Sequence, residues 1–168
     1  IAHEINQPLG AILSNADTAE LILESGTDKR DLLRQILADI RRDELCVWAA
    51  AALGTRAFAL VPASADASFR RYFRITPEAP WQGHSTLIVM DAPPPVEDCH
   101  PFVHVAGLLA GAGLHAPEVL AGDPGRGFLL LTDLGARTYL AALDATTAPA
   151  LYADATAALI RWQKATRD

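Results

Sequence analysis

Cysteine is scarce in this sequence, which has only Cys46 and Cys99 in 168 residues. Two cysteines without C-x-x-C spacing provide neither a disulfide framework nor a typical zinc site. This scarcity is typical of proteins from a reducing compartment, so we expect a cytoplasmic protein. Long apolar runs are also missing, since none reaches the roughly 18–20 residues that a membrane-spanning helix needs. We therefore expect no membrane segment and no signal peptide.

Basic residues are outnumbered, with 14 Lys and Arg against 20 Asp and Glu and a net charge of −6. Nucleic-acid-binding domains usually present a basic face, so the composition argues against a nucleic-acid partner. Apolar residues make up 51% of the chain, enough for a core in one ordinary domain or two small units. The chain begins at Ile1, inside a motif, and we expect it to be a fragment at its front end.

Apolar residues at three-to-four spacing predict two helices at the start of the chain. Residues 1–26 form the first helix, which Pro8 should kink. The second runs from about Asp28 to about Ala52. Its apolar stripe consists of Leu32, Leu33, Ile36, Leu37 and Ile40. Together the helices predict a helical hairpin, which needs a partner to cover its stripes.

After Leu53 the pattern changes to short β-branched and aromatic runs separated by Gly, Pro and Ser, which is typical of strands and turns. The predicted order is strand, strand, strand, helix, strand, strand, helix. The strands are AFALVPAS, SFRRYFRITP, STLIVMDA, PEVLA and GFLLLTDL, and the helices are residues 100–113 and ALYADATAALIRWQKA. Antiparallel strands with one inserted helix predict an α+β fold class, in which the helical hairpin precedes the strands along the chain.

The stretch HEINQPLGAI has a definite chemical interpretation. The imidazole of His3 can attack the γ-phosphorus of ATP if the carboxylate of Glu4 orients the ring or takes its proton. The stretch resembles the phosphoacceptor box of sensor histidine kinases, and DLLRQILADIRRDEL resembles the second helix of that domain. The resemblance implies His3 as phosphoacceptor, Glu4 as acid or base, Gln7 as the phosphatase-type amide, and a homodimer through residues 1–46. The alternative is an ordinary surface histidine.

A second stretch, ASADASFRRYFRI, has the composition of a phosphate-binding turn. Small residues let backbone N–H groups approach phosphate oxygens, and Ser64 and Ser68 add hydroxyl donors. Arg70, Arg71 or Arg74 can supply positive charge. The alternative is an ordinary turn followed by solvated arginines.

The wider run of motifs resembles the aminoglycoside phosphotransferase-like kinases, closest to the branch that phosphorylates N-acetylmuramate and N-acetylglucosamine in cell-wall recycling. The motifs are PASADASFRRYFRI, TLIVMDAPPPVEDCHPFVHVAGLL, GLHAPEVLA, GFLLLTDLG and ALIRWQ. The resemblance implies a protein-kinase-like N-lobe, ATP and Mg²⁺ as cofactors, and a sugar substrate. It implies a loop over the phosphates and a hinge that meets adenine. The implied nucleotide-binding residues are Ser64, Asp66, Ser68, Phe69, Arg70, Arg74, Thr132, Asp133 and Leu134.

Two features depart from this resemblance. Kinases carry a third-strand lysine that pairs with a helix glutamate and holds phosphates. Here Met90 takes that position, and the only lysines in the chain are Lys29 and Lys164. Arg74 is our candidate for a substitute. The chain also lacks an H-x-D-x-x-x-x-N catalytic string and a D-F-G or D-F-D metal-binding string. We therefore expect no Mg²⁺ ligands in the chain and no catalysis by it alone.

The motifs predict two domains, a truncated phosphoacceptor hairpin at residues 1–46 and a nucleotide-binding N-lobe at residues 47–168. We interpret the chain as a natural or artificial fusion joined near residues 43–48. The leading function is an ATP-dependent sugar kinase represented by its nucleotide-binding lobe. The alternatives are a two-component signalling module phosphorylated on His3 in trans and a non-catalytic helical dimerisation piece.

Two other groups of residues are not expected to form sites. His100 and His104 lie four residues apart on a predicted helix, but Cys99 and Asp98 are unconvincing as a third zinc ligand. Asp66, Asp91 and Asp133 resemble a carboxylate cluster, but each is expected to be solvated in a loop or to cap a turn.

Overall fold

The computed structural model describes residues 29–65 and 69–165. The chain divides into two compact units, Ile1–Trp48 and Ala49–Asp168. The first predicted helix lies outside the described residues, so the helical hairpin and the predicted domain boundaries stay predictions.

Helix α1 spans Lys29–Leu53, close to the bounds predicted for the second helix. Part of its predicted apolar stripe is exposed, including Leu33 and Leu37. The helix ends at Gly54, whose φ of +69° is the left-handed conformation common in a glycine that terminates a helix. The Gly54 N–H donates to the Ala51 carbonyl, which satisfies one acceptor of the last turn.

The second unit contains one antiparallel sheet with the strand order β1-β2-β3-β5-β4. The strands are β1 Phe58–Ala65, β2 Arg71–Pro77, β3 Leu87–Asp91, β4 Val119–Asp123 and β5 Phe128–Thr132. The helices are α2 His100–Gly111, between β3 and β4, then α3 Tyr139–Ala142 and α4 Ala148–Ala165. The small antiparallel sheet with one inserted helix confirms the predicted mixed fold class. Among the described residues, no helix combines the length and the apolar character that crossing a membrane requires.

Strand register sorts the side chains of β2, β3 and β5 onto two faces. Tyr72 pairs with Met90, which pairs with Leu129, and alternation along each strand places every second residue on the same face. We call this the front face, and it carries Tyr72, Arg74, Ile88, Met90, Leu129 and Leu131. The reverse face carries Phe73, Ile75, Leu87, Val89, Phe128 and Leu130, all of them buried.

The reverse face also holds an ion pair between Arg71 and Asp91, which lie directly opposite each other in β2 and β3. Asp91 is fully buried. Arg71 donates to its Oδ2 from Nε at 3.0 Å and from Nη2 at 2.5 Å. The prediction that Asp91 is solvated or caps a turn is therefore wrong, because the carboxylate lies in a buried strand and the neighbouring strand neutralises it.

Strand β1 lies at the edge of the sheet, which explains how it accommodates Pro62. Proline has no N–H to donate, and an edge strand has one side on which no donor is needed. The register shifts between Pro62 and Ser64, so Ala63 is the extra residue of a β-bulge. A bulge changes the direction of a side chain, and Ala63 lines the cavity described next.

Candidate functional site

A cavity of about 450 Å³ lies between the front face and the segment that follows β5. We call it the main cavity, and we call residues 132–138 the hinge segment. The lining residues are Ala63, Tyr72, Arg74, Ile88, Phe102, Pro117, Leu131, Thr132, Asp133, Leu134, Gly135, Ala136 and Thr138. A mostly apolar lining, a few polar groups and this volume are typical of a small-molecule site.

The sheet and the chain leaving it form two walls of the main cavity. Arg74, Ile88 and Leu131 are paired in one row across β2, β3 and β5, so their side chains lie side by side on the front face. Thr132 fixes the point where the chain leaves the sheet. Its N–H donates to the Glu118 carbonyl at 3.0 Å, and its hydroxyl accepts from the Glu118 N–H at 2.9 Å.

An ion pair between Arg74 and Asp133 joins the sheet to the hinge segment. Arg74 donates from Nε to Asp133 Oδ2 at 2.6 Å and from Nη2 to Oδ1 at 3.2 Å. The Asp133 side chain is only 4% exposed. Its Oδ1 also accepts from the Gly135 N–H at 2.8 Å. We call this two-bond contact the hinge-end pair.

The hinge-end pair keeps both of its members ionised. The hydrogen bond from Arg74 lowers the pKa of Asp133 below its usual value, although burial opposes it, and the Gly135 N–H adds to the lowering. The same contact raises the pKa of Arg74. Of the two roles predicted for Asp133, solvation in a loop is wrong, because the carboxylate is buried against a guanidinium, whereas capping of a turn agrees with its bond to the Gly135 N–H.

Met90, the residue at the position of the kinase lysine, lies in a hydrophobic cluster. It is fully buried in a cluster with Cys99, Leu129 and Leu131, against which Phe102 of α2 packs. Helix α2 contains no acidic residue that could pair with a lysine. Met90 and Phe102 therefore stand where an ion pair between strand and helix would be expected.

A second ion pair lies beyond the other end of β2. Arg70 donates from Nε to Glu97 Oε2 at 3.0 Å, and the Phe69 N–H donates to Glu97 Oε1 at 3.1 Å. We call this contact the loop-end pair. Burial acts to lower the pKa of Arg70, but the hydrogen bond and charge of Glu97, together with Tyr72, raise it overall.

Arg70 also lines a second cavity, of about 280 Å³, which we call the side cavity. The other lining residues are Pro101, Phe102, Val105, Ala106, Leu109 and Pro117. Phe102 and Pro117 line the main cavity as well. The two cavities are therefore neighbours, and Arg70 supplies the charged side chain of the smaller one.

The predicted nucleotide-binding residues have different surroundings. Arg74, Thr132, Asp133 and Leu134 line the main cavity, and Arg70 lines the side cavity. Phe69 has a side chain that is 70% exposed, while its N–H is held by Glu97. Asp66, Ser68 and the side chain of Ser64 lie outside the described part of the chain. The same holds for the phosphoacceptor box, His3, Glu4 and Gln7.

Several residues that line the cavities or bond a lining residue were absent from the predicted nucleotide-binding set. Tyr72 could have been included, because alternation places it on the same face as Arg70 and Arg74. Ile88 and Phe102 have only the pattern of ordinary core residues. Glu97 has no sequence signal, since its partner lies 27 residues away.

Three neighbouring residues before and at the start of α2 bring possible metal-ligating atoms within 4.8 Å of one another, namely Asp98, Cys99 and His100. Asp98 is already bonded to the backbone N–H of His100 at 2.9 Å and to its ring Nδ1 at 2.6 Å. Burial raises the pKa of the Cys99 thiol, which disfavours the thiolate that a metal requires. The group is therefore explained by local bonding at the start of the helix.

Comparison with known proteins gives a match to the phosphotransferase enzyme family over residues 59–168. This range begins in β1 and includes both cavities and both ion pairs.

The curated relatives include three bacterial kinases with the same name, N-acetylmuramate/N-acetylglucosamine kinase. The protein from Pseudomonas aeruginosa is 60% identical over 106 residues, covering 62% of this chain and 30% of the relative. The Pseudomonas putida protein is 46% identical over 142 residues, covering 77% and 40%. The Neisseria meningitidis protein is 36% identical over 132 residues, covering 76% and 38%. The chain thus spans well under half the length of these relatives.

Proposed function

We propose that this chain, which belongs to the phosphotransferase enzyme family, supplies the nucleotide-binding lobe of an ATP-dependent sugar kinase. The proposed acceptor is a cell-wall amino sugar, as in the names of the kinases to which the chain is similar. The single observation that carries the proposal is the main cavity, whose apolar floor faces a hinge segment fixed by Asp133.

The main cavity suits a planar heterocycle such as adenine. Ile88 and Leu131 offer apolar side chains in one row of the sheet. The hinge segment offers backbone groups, and no group within residues 29–65 and 69–165 accepts a hydrogen bond from the Leu134 N–H. A base could therefore lie against the sheet with one edge toward Leu134.

The contribution of these residues to phosphoryl transfer is binding and orientation. Positioning and charge stabilisation account for most of the catalysis in this reaction class. Asp133, which lines the main cavity, and Glu97, which bonds Arg70 beside the side cavity, already neutralise Arg74 and Arg70. They therefore do not fit the Mg²⁺ ligands that the resemblance implies, and we assign no step to a metal here.

Filling the main cavity tests this proposal. Ala63 lines the cavity from the edge strand, so Ala63→Phe should block the site without enlarging a core residue. Ala59→Phe, on an exposed position of the same strand, is the matched control. Calorimetric titration with ATP and with adenosine should show binding to the original chain and to the control, and at least about tenfold weaker binding to Ala63→Phe. Failure of the original chain to bind either ligand would overturn the proposal.

Residues 1–46 carry a separate hypothesis. The phosphoacceptor assignment of His3, the homodimer and the fusion of two phosphotransfer modules stay predictions from the sequence. The family match begins at residue 59 and does not extend to them.

A further inference from the structure

A third cavity, of about 300 Å³, lies where the hinge segment runs into α3 and α4. We call it the end cavity. Its lining residues are Arg137, Thr138, Tyr139, Ala142, Thr147 and Leu151. Thr138 also lines the main cavity, so the two cavities are neighbours. The end cavity has no part in the proposed nucleotide site.

The three hydroxyl groups of the end cavity are already bonded inside the protein. The Thr138 hydroxyl accepts from the Ala141 N–H at 3.2 Å. The Tyr139 hydroxyl donates to the carboxylate of Asp154 in α4. The Thr147 hydroxyl donates to the last backbone carbonyl of α3 at 2.7 Å. These groups therefore hold the walls of the cavity in place.

Arg137 is the charged side chain of the end cavity, and it is exposed. Within residues 29–65 and 69–165, its guanidinium has no ion pair and no hydrogen-bond partner. Arg70 and Arg74, by contrast, each bond a carboxylate. The donors of the Arg137 guanidinium therefore face solvent and can meet an anion.

The carboxylates nearest in contact to this cavity are bonded to other groups. Asp154 accepts from Tyr139. Asp144 accepts from the backbone N–H groups of Thr146 and Thr147 at 2.7 and 2.8 Å. Both carboxylates thus have partners other than the cation of the cavity.

The end cavity combines a cation with an apolar part, which Ala142 and Leu151 supply. We propose that it binds the lactyl group of N-acetylmuramate, with Arg137 on the carboxylate and Leu151 against the methyl group. This inference rests on the proposed function, because that proposal supplies the class of sugar. A guanidinium can bind a carboxylate through two parallel hydrogen bonds, which fixes its orientation.

The two sugars in the name of the similar kinases differ in this group alone. N-acetylmuramate is N-acetylglucosamine with a lactyl ether on O3, which adds a carboxylate and a methyl group. Arg137 would therefore distinguish the acid sugar from the neutral one.

The test compares the two sugars on the full chain. Nuclear magnetic resonance titrations follow the backbone amide of Thr138 with N-acetylmuramate, N-acetylglucosamine and adenosine. The variants are Arg137→Gln and Arg137→Lys. Arg56→Gln is the matched control, because Arg56 is exposed before β1 and lies outside the residues that line the three cavities.

We expect the original chain and the control to bind N-acetylmuramate at least about fivefold more tightly than N-acetylglucosamine, as a charge-assisted contact predicts. Arg137→Gln should abolish this preference. Arg137→Lys should keep part of it, since lysine retains the charge without the two-bond geometry. Adenosine binding should be the same in all variants, because Arg137 lies outside the lining of the main cavity.

Each outcome bears on a different claim. Equal weakening of both sugars by Arg137→Gln would mean that Arg137 only supports the local fold, which overturns the inference. Binding of adenosine without a preference for N-acetylmuramate also overturns it, while the proposed nucleotide site stands. If adenosine does not bind but the Arg137-dependent preference persists, the sugar site is supported and the proposed nucleotide site fails.

Discussion

The two ends of the front face carry the same chemical pair in different forms. At the hinge end, Arg74 and Asp133 share two hydrogen bonds, and the carboxylate is 4% exposed. At the loop end, Arg70 and Glu97 share one, and the carboxylate is 13% exposed and divided between a side chain and a backbone N–H. The hinge-end pair anchors the segment that leaves the sheet, whereas the loop-end pair holds Arg70 and the backbone beside it next to the side cavity.

The comparison teaches that an arginine–carboxylate pair does not have a single role. A guanidinium bonded at two nitrogens to a buried carboxylate has its geometry fixed by that partner. At the loop end, one carboxylate accepts from a guanidinium and from a backbone N–H, so it fixes the side chain of Arg70 together with the adjoining chain. The burial of the carboxylate and the groups that it bonds distinguish the two contacts.

The ion pair between Arg71 and Asp91 on the reverse face should contribute more to stability than either of the other two pairs. Asp91→Asn should lower the free energy of unfolding by about 3 kcal/mol, because it leaves Arg71 without its buried counter-charge. Urea denaturation followed by circular dichroism measures the change. A loss below about 1 kcal/mol would show that this pair contributes little to stability.

The hinge-end pair should make the next largest contribution to the free energy of unfolding. Asp133→Asn should lower the free energy of unfolding by about 2 kcal/mol, because a charge-assisted contact is lost and Arg74 loses its partner. Asp123→Asn, in the exposed pair with Arg126, is the control and should leave the urea midpoint almost unchanged. If both variants shifted the urea midpoint equally, the buried hinge-end pair would contribute no more to stability than an exposed surface pair.

The contribution of Asp133 should depend on pH with a definite sign. Its pKa is lowered in the folded protein, so its stabilising effect is fully present above the unfolded pKa of about 3.9 and is lost as pH falls through the lower folded pKa. The stability difference between the original chain and Asp133→Asn should therefore shrink below about pH 4. Urea titrations over a series of pH values measure it. A difference that grows on acidification would contradict the ion pair.

The loop-end pair should have the smallest effect on stability. Glu97→Gln removes the charge that holds Arg70 and leaves Arg70 itself in place. We expect the free energy of unfolding to fall by about 1 kcal/mol or less, measured by urea denaturation, because the Glu97 carboxylate is more exposed than that of Asp133. A large loss of stability would place this pair with the hinge-end anchor.

The elements of the fold were largely predictable from the sequence. Short β-branched, aromatic or apolar runs with Gly, Pro and Ser between them indicated all five strands, and α2 and α4 were predicted close to their observed bounds. Helix α3 was not predictable by periodicity, because one turn shows no repeat. It forms where the Thr138 side chain accepts from the Ala141 N–H, a local cap.

The partners of the charged side chains were less predictable. Arg74 and Asp133 are separated by 59 residues, and only the strand register brings them together. The prediction for Asp91 was wrong for the same reason, because only the strand register shows that Arg71 of β2 lies opposite it. The hinge residues came from the family resemblance, whereas Glu97 emerged only from the folded chain.

The most direct test of the account is nuclear magnetic resonance of the full chain during titration with ATP and with adenosine. The signal to follow is the backbone amide of Leu134, on the hinge segment of the main cavity. We expect both ligands to shift it in a saturable manner, since both carry the base. If neither ligand shifts it while the chain remains folded, the main cavity is not the nucleotide site.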